Sequence, residues 1–273
     1  MYFVDEATAV TPSVRNQLKC DSAYDRLRAL RLMQRMELRR TRDTLSRMDA
    51  FVDRVEAGRL LAHRVAALKL ADPVVLALPR GGVPVAAEVA RALHAPLDLL
   101  MVRKIGAPDQ PELAVAAVVD GDHPEVVIDQ ETLRMSGADR HYVAARAKQE
   151  LKEIERRRAR YLRGRASVPL EGKSVVLVDD GIATGTTVRA ALKALQRSRA
   201  ARLVLAVPVA PADTVAQLRG EVNELVCLSQ PEFFHAVGVH YRDFHQVEDD
   251  EVIELLDAAS PMTVTTEDRK HGP

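Results

Sequence analysis

Two adjacent carboxylates, Asp179 and Asp180, follow an apolar run and precede a segment of small and hydroxyl-bearing residues. That segment reads Gly-Ile-Ala-Thr-Gly-Thr-Thr over residues 181–187 and leads into a predicted helix. Free backbone N–H groups, threonine hydroxyls and the positive end of a helix dipole together form a cradle for phosphate. Carboxylates beside such a cradle can accept hydrogen bonds from vicinal hydroxyls, as on a ribose. The spacing therefore indicates a site for a ribose 5-phosphate.

Two more polar sequences follow predicted strands. Arg80, Gly81 and Gly82 end one strand within the sequence Leu-Pro-Arg-Gly-Gly, and Arg103 and Lys104 end the next. Glycines permit close approach of the backbone to an anion, and an arginine adds a cation. In a parallel α/β sheet, ligands bind beyond the carboxyl ends of the strands. We therefore expect all three polar sequences at one edge of the sheet, in a single site.

The rest of the pattern predicts the sheet that positions them. Predicted strands cover residues 74–78, 97–102, 114–119, 125–128, 174–178, 203–207 and 225–228, and predicted helices cover residues 84–93, 137–163, 186–195 and 213–218. Apolar strands that alternate with helices indicate an α/β fold, a parallel sheet with helices on both faces. We expect a helical or partly disordered extension over residues 1–50, one domain over residues 51–258 and a tail over residues 259–273.

Composition narrows the class of protein. The 273 residues carry a formal net charge of zero, which argues against nucleic acid or a membrane as the main partner. Cys20 and Cys227 provide neither a disulfide framework nor metal-ligand spacing. The start lacks a basic region before an apolar run, so we expect a cytoplasmic protein. For the arginine-rich stretch before residue 51, we favour a solvated or partly disordered helix over a nucleic-acid-binding arm.

The segment over residues 175–187 resembles the 5-phosphoribosyl-1-pyrophosphate (PRPP) signature of type I phosphoribosyltransferases: apolar strand residues, two acids and an Ala-Thr-Gly-Thr-Thr loop. The resemblance extends over residues 51–256. It is greatest to uncharacterised bacterial proteins with Leu-Pro-Arg-Gly-Gly, Val-Arg-Lys-Ile-Gly, Pro-Glu-Leu-Ala and Val-Asp-Asp-Gly-Ile-Ala-Thr-Gly blocks. It implies a type I phosphoribosyltransferase fold with a small hood, Mg²⁺ as the cofactor and a flexible loop, here about residues 120–140, that covers the site.

The resemblance assigns roles residue by residue. Asp179 and Asp180 would hold the ribose hydroxyls and Mg²⁺, and they are the expected catalytic residues together with Arg80 and Lys104. The expected PRPP-binding residues are Arg80, Gly81, Gly82, Arg103, Lys104, Asp179, Asp180, Ala183, Thr184, Gly185, Thr186 and Thr187. The resemblance also predicts a cis peptide bond between Pro79 and Arg80. For Glu112, metal binding and a capping role both remain open.

The acceptor side is expected in the hood, which combines the chain before or around Phe51 with the hood segment, residues 229–246. Phe233, Phe234 and Tyr241 lie there in a chain that is only 4 % aromatic, and an aromatic ring can stack on a planar base. A small local core is the alternative for these rings. In the family's orotate and purine enzymes the phosphate loop carries an acid that handles a base proton. Ala183 stands at that position, so the loop does not support such a proton transfer.

These features predict a Mg²⁺-dependent phosphoribosyltransferase that moves the phosphoribosyl group of PRPP to a nucleobase or another nitrogen nucleophile, with release of pyrophosphate. Two alternatives remain: a non-catalytic PRPP-binding regulator, and a hydrolase of a phosphorylated ribose compound. The presence of Arg80, Lys104 and the Asp pair favours the enzyme. The sequence does not specify the acceptor, and a homodimer is an expectation from the family alone.

Overall fold

A computed structural model of the chain describes residues 50–121 and 124–259, with the side chain of Glu112 outside the description. The open question about Glu112 therefore lies outside the described residues. So do nearly all of the predicted extension (residues 1–50) and tail (residues 259–273), and the domain boundaries stay predictions. Within the described ranges, no helix is long and apolar enough to cross a membrane.

Eight strands and seven α-helices occur in the described part of the chain. The strands are β1 (Pro73–Ala77), β2 (Leu97–Leu99), β3 (Val102–Ala107), β4 (Gln110–Val119), β5 (Glu125–Ile128), β6 (Ser174–Val178), β7 (Arg202–Val209) and β8 (Glu224–Ser229). The helices are α1 (Arg54–Ala66), α2 (Gly82–Leu93), α3 (Gln130–Met135), α4 (Arg140–Leu162), α5 (Thr186–Leu195), α6 (Ala212–Leu218) and α7 (Asp249–Ala259). Short 3-10 turns cover Arg219–Glu221 and Val237–His240.

The main sheet has the order β2-β1-β6-β7-β8 and is parallel throughout, which confirms the predicted α/β class. Strands β1 and β6 are direct neighbours, and their last residues, Ala77 and Val178, are partners in the register. The segments that follow these two strands therefore leave the sheet side by side. This pairing brings together the Arg-Gly-Gly and Asp-Asp sequences, which are about a hundred positions apart along the chain.

Each face of the sheet has its own hydrophobic core, because successive strand residues point to opposite faces. Val176 and Val178 of β6 pack into a core covered by α1, α2, α4 and α7. Val175 and Leu177 pack into a second core covered by α5 and α6. All five residues of β6 are buried, which explains why the strand is a continuous apolar run rather than an alternating one.

A second sheet, β3-β4-β5, is antiparallel, and its first strand corrects one prediction. Residues 97–102 do not form one strand: β2 ends at Leu99, and β3 begins a hairpin at Val102. The cause is Asp120, whose N–H donates to the Met101 carbonyl (2.9 Å) and whose Oδ1 accepts from the Met101 N–H (2.6 Å). Within residues 120–140, expected to cover the site, β5 has its predicted bounds, and α3 is an additional helix that Asp129 caps through the Glu131 and Thr132 N–H groups. Closure of this segment over the site stays a prediction.

Asp120 also binds α4, since its Oδ2 accepts from Nη1 of Arg158 at 2.7 Å. Its carboxyl is buried, with 6 % of the residue exposed. Burial raises the pKa of Asp120 from 3.8 to about 6, against the opposing effects of the Met101 hydrogen bond and the Arg158 charge. The folded state therefore holds this proton more tightly than the unfolded chain does.

We expect Asp120 to contribute a measurable pH dependence to stability. Because its folded-state pKa lies above 3.8, the stabilisation is full below about pH 4 and is lost as the pH rises through 6. The free energy of unfolding of the wild type, minus that of Asp120→Asn, should fall by about 2 kcal/mol between pH 4.5 and pH 7.5. Urea denaturation of both proteins across this range measures it, and a difference that does not vary with pH would contradict the assignment.

Candidate active site

The two carboxylates of the Asp pair lie directly beyond β6. The Asp180 N–H donates to Oδ1 of Asp179 at 2.9 Å, which orients the first carboxylate. Asp180 is buried, with 9 % exposed, and Asp179 is half-buried. Burial raises the pKa of both carboxyls, and the neighbouring charge of Asp180 raises the pKa of Asp179 further. Two such groups need a cation nearby if both are to be ionised.

Arg54 supplies that cation. As the first residue of α1, it donates from Nε to Oδ2 of Asp180 at 2.9 Å, and from Nη1 to the His245 carbonyl at 2.8 Å. Its charge lowers the pKa of Asp180 and so opposes the effect of burial. Sequence reasoning missed Arg54. The available signal was its position directly after the helix cap Asp53, since a cation in the first turn opposes the helix dipole.

Tyr241 holds the same acid through the main chain. Its hydroxyl donates to the Asp180 carbonyl at 2.5 Å, and its ring packs against Phe51 and Phe244 with centroids 5.5 and 5.1 Å apart. Tyr241 was predicted to contact an acceptor. In the structure its ring is buried, and its hydroxyl donates to the main-chain carbonyl of Asp180. The Asp180 side chain and main chain are therefore both held by α1 and the hood segment.

The Arg-Gly-Gly loop packs directly on the Asp pair. The peptide bond between Pro79 and Arg80 is cis, as predicted. A Cβ on Gly81 would overlap Oδ2 of Asp180, and a Cβ on Gly82 would lie 2.8 Å from the Val178 carbonyl oxygen. Gly81 and Gly82 were predicted to let the backbone approach an anion. In the structure, their lack of a side chain lets the loop pack against Asp180 and the end of β6.

Arg80 is oriented by carboxylates that precede and begin α7. Its Nη1 lies 3.5 Å from Oδ1 of Asp249 and 3.6 Å from Oε2 of Glu248. Asp249 also accepts from the Tyr161 hydroxyl at 2.6 Å and pairs with Nη1 of Arg160 at 2.5 Å. No role was assigned to Glu248 or Asp249 from the sequence. In the fold, Asp249 joins the arginine of the loop to the end of α4.

The segment over residues 181–187 has the geometry of an anion cradle. Ala183 and Thr184 are exposed, and Gly185 (φ +74°) precedes α5 without a side-chain cap on the helix. The hydroxyl oxygens of Thr184 and Thr186 lie 3.2 Å apart, and the Thr214 hydroxyl donates to the Ala183 carbonyl at 3.1 Å. The first-turn N–H groups of α5, including those of Thr186 and Thr187, are therefore available to a phosphate.

Arg103 and Lys104 lie on β3 of the hairpin rather than at the end of a parallel strand. Adjacent strand residues point to opposite faces, so the two side chains diverge. Nε of Arg103 donates to Oε2 of Glu150 on α4 at 2.8 Å. Lys104 is exposed. Among the described residues neither forms an ion pair with Asp179 or Asp180, so contact of Arg103 and Lys104 with PRPP stays a prediction.

The hood segment lies against the loop that follows the Asp pair, since a Cβ on Gly181 would clash with the side chain of Val237. Phe234 stacks on His240 with ring centroids 5.2 Å apart. Phe233, by contrast, has 48 % of its surface exposed. The local-core alternative therefore describes Tyr241 and Phe234, whereas acceptor contact stays a prediction.

The Asp pair offers oxygen donors of the type that magnesium prefers. Within residues 50–121 and 124–259, no group of three or more His, Cys, Asp or Glu side chains converges on a point that could hold a metal. Magnesium commonly takes one or two protein carboxylates and completes its coordination with waters and substrate phosphates. The two carboxylates of Asp179 and Asp180 are the donor set that such an ion requires.

The contact between the loop and the Asp pair predicts that Gly81→Ala destabilises the fold. The new methyl group would overlap the Asp180 carboxylate, and overpacking of this kind costs about 1–3 kcal/mol of unfolding free energy. Gly220→Ala is the matched control, because no atom lies within 4 Å of a Cβ there. Urea denaturation compares the two variants, and equal stability would show that the described contact is wrong.

Comparison with known proteins agrees with this geometry. A family model described as phosphoribosyl transferase domain matches residues 49–243. Proteins from two strains of Mycobacterium tuberculosis, named provisionally as phosphoribosyl transferases, are 49 % identical over 212 residues, 78 % of this chain and 47 % of theirs. The chain thus spans about half the length of these relatives. The crystal structure of TT1426 from Thermus thermophilus is 44 % identical, with a TM-score of 0.69 over 78 % of this chain and 100 % of that one. This chain belongs to the phosphoribosyl transferase domain family.

Proposed function

We propose that residues 51–258 form a Mg²⁺-dependent phosphoribosyltransferase that binds PRPP at the carboxyl edge of the parallel sheet. It would transfer the phosphoribosyl group to a nucleobase or another nitrogen nucleophile and release pyrophosphate. The pairing of β1 with β6 carries the proposal, because it sets an arginine loop, two carboxylates and an uncapped helix N-terminus side by side. These three features correspond to the pyrophosphate, ribose and 5′-phosphate of PRPP.

The hydrogen bonds within the site suggest which atoms bind the ribose. Oδ1 of Asp179 accepts from the Asp180 N–H, and Oδ2 of Asp180 accepts from Arg54. The other oxygen of each carboxylate is therefore the one we assign to the ribose hydroxyls. Residues 183–187 take the 5′-phosphate, and Arg80, already oriented by Asp249, takes the pyrophosphate.

The proposed reaction breaks the bond between C1 and the pyrophosphate oxygen, and the bonding electrons leave with pyrophosphate. The acceptor nitrogen forms the new bond to C1 and releases its proton to water. Positive charge develops on the ring, as in glycoside cleavage, and the buried carboxylates of Asp179 and Asp180 favour that charge. Arg80 holds the departing anion. Asp179 and Asp180 would hold Mg²⁺, which would further neutralise the leaving group.

The test of this function is titration of PRPP with Mg²⁺ into the wild type and into Asp179→Asn/Asp180→Asn. Each lost hydrogen bond to a charged group is worth about 1.5–3 kcal/mol, so the double variant should bind at least about 100-fold more weakly. Asp72→Asn is the control, because Asp72 is an exposed acid that precedes β1 and pairs with Lys173. Calorimetry measures all three proteins, and removal of Mg²⁺ with a chelator should also weaken wild-type binding.

The outcomes separate the proposal from its alternatives. Absence of saturable wild-type binding at millimolar PRPP would contradict the proposed function. Binding without pyrophosphate release, whatever acceptor is offered, would identify a regulator. Breakdown of a phosphorylated ribose compound in the absence of any acceptor would identify a hydrolase. Pyrophosphate release that depends on a nitrogen-containing acceptor is the result we expect.

A further inference from the structure

Arg54 lies between the acid pair and the hood segment and contacts both. Its Nε donates to Oδ2 of Asp180 (2.9 Å), and its Nη1 donates to the His245 carbonyl (2.8 Å). Its guanidinium carbon lies 3.8 Å from the centroid of the Phe244 ring, within range of a cation–π contact. Only 7 % of the residue is exposed. Three contacts therefore hold one buried guanidinium in a single orientation.

The formation of α1 does not explain an arginine at this position. Asp53 already caps the helix by accepting from the Glu56 N–H, and a cation in the first turn opposes the helix dipole. A buried cation is stable only with a partner, and the described partner is the carboxylate of Asp180. The planar guanidinium reaches Asp180 and His245 from two different nitrogens, whereas the three donors of a lysine ammonium all diverge from one nitrogen.

We propose that Arg54 is a positioning residue of the active site. It occupies Oδ2 of Asp180, leaves the other oxygen for the ribose hydroxyls, and holds the segment of Phe244 and His245 beside the same acid. The inference rests on the proposed function and adds to it that one guanidinium joins the phosphoribosyl side of the site to the acceptor side. Arg54 does not itself contact substrate in this account, since it acts through Asp180.

A purely structural role for Arg54 makes a different prediction. If Arg54 only stabilised the fold, its loss would weaken every subsite to the same extent. If it orients Asp180, its loss should weaken recognition of the ribose hydroxyls and leave the phosphate cradle over residues 183–187 intact. The cradle is held separately, through the Thr214 hydroxyl and the Ala183 carbonyl.

The experiment compares ribose 5-phosphate with 2-deoxyribose 5-phosphate, two ligands that differ only in a hydroxyl of the diol. We expect the wild type to prefer ribose 5-phosphate by about tenfold, the equivalent of one charge-assisted hydrogen bond. We assign the 2-hydroxyl to Asp180 and the 3-hydroxyl to Asp179. In Arg54→Met the preference should therefore fall to less than about twofold, while 2-deoxyribose 5-phosphate binds as it does to the wild type. Arg59→Met is the matched control, because Arg59 is an exposed arginine on the same helix.

Two more variants keep the proposal testable. Arg54→Lys retains the charge but cannot bridge Asp180 and His245, so it should also lose most of the preference; it replaces Arg54→Met if that variant does not fold. Arg54→Met/Asp180→Asn should discriminate no less than Asp180→Asn alone, because both changes remove the same interaction. Circular dichroism and a melting curve establish that each variant is folded.

The outcomes distinguish this inference from the proposed function. If the wild type binds neither ribose 5-phosphate nor PRPP, the proposed function is contradicted, and the inference with it. If the wild type discriminates and Arg54→Met discriminates equally well, the inference alone is overturned. Additive losses from the Arg54 and Asp180 changes would also overturn it, because they would show that Arg54 does not act through Asp180.

Discussion

The parallel pairing of β1 with β6 is the constraint on which the site depends. Because Ala77 and Val178 are register partners, the two chain segments beyond them leave the sheet in contact. They fit only because Gly81 has no side chain, since any Cβ there would overlap the carboxylate of Asp180. The loop that carries Arg80 and the turn that carries the Asp pair are therefore one packed unit.

Charge balance is the second requirement of this unit. Two neighbouring carboxylates in a buried place resist ionisation, which is why burial raises the pKa of both. Arg54 compensates Asp180, and in the proposed function a metal ion would compensate Asp179. On the opposite side of the loop, Asp249 and Glu248 hold the guanidinium of Arg80. Asp180 and Arg80, both assigned to PRPP, are thus each oriented by a group of opposite charge.

Local features of the fold were predictable from the sequence. Strands β5 and β6 and helix α5 have the predicted bounds, because an apolar run or a helical period is contained within a few neighbouring residues. The phosphate loop and the Asp pair were found in the same way. The division between β2 and β3 was not predictable locally, since it depends on Asp120, which bonds Met101 from 19 positions away.

The residues that hold the site in place were likewise not predictable from local sequence. Arg54 binds Asp180 across 126 positions, Tyr241 binds it across 61, and Asp249 lies 169 positions from Arg80. Contacts between residues so far apart along the chain produce no recognisable pattern in a single sequence. Tyr241 illustrates the consequence: its ring type suggested an acceptor contact, whereas its partner is the Asp180 carbonyl. Residue type and spacing identified the groups proposed to bind the ligand. The residues that orient those groups could be identified only from the fold.

A crystal structure of the protein with PRPP and Mg²⁺ tests the central claim most directly. We expect the 5′-phosphate on residues 183–187, the ribose hydroxyls on the carboxylates of Asp179 and Asp180, and the pyrophosphate against Arg80. Arg54 should remain bonded to Asp180 in that complex. Density for PRPP elsewhere on the molecule, or a ribose that leaves both carboxylates without contact, would contradict the assignment of this site.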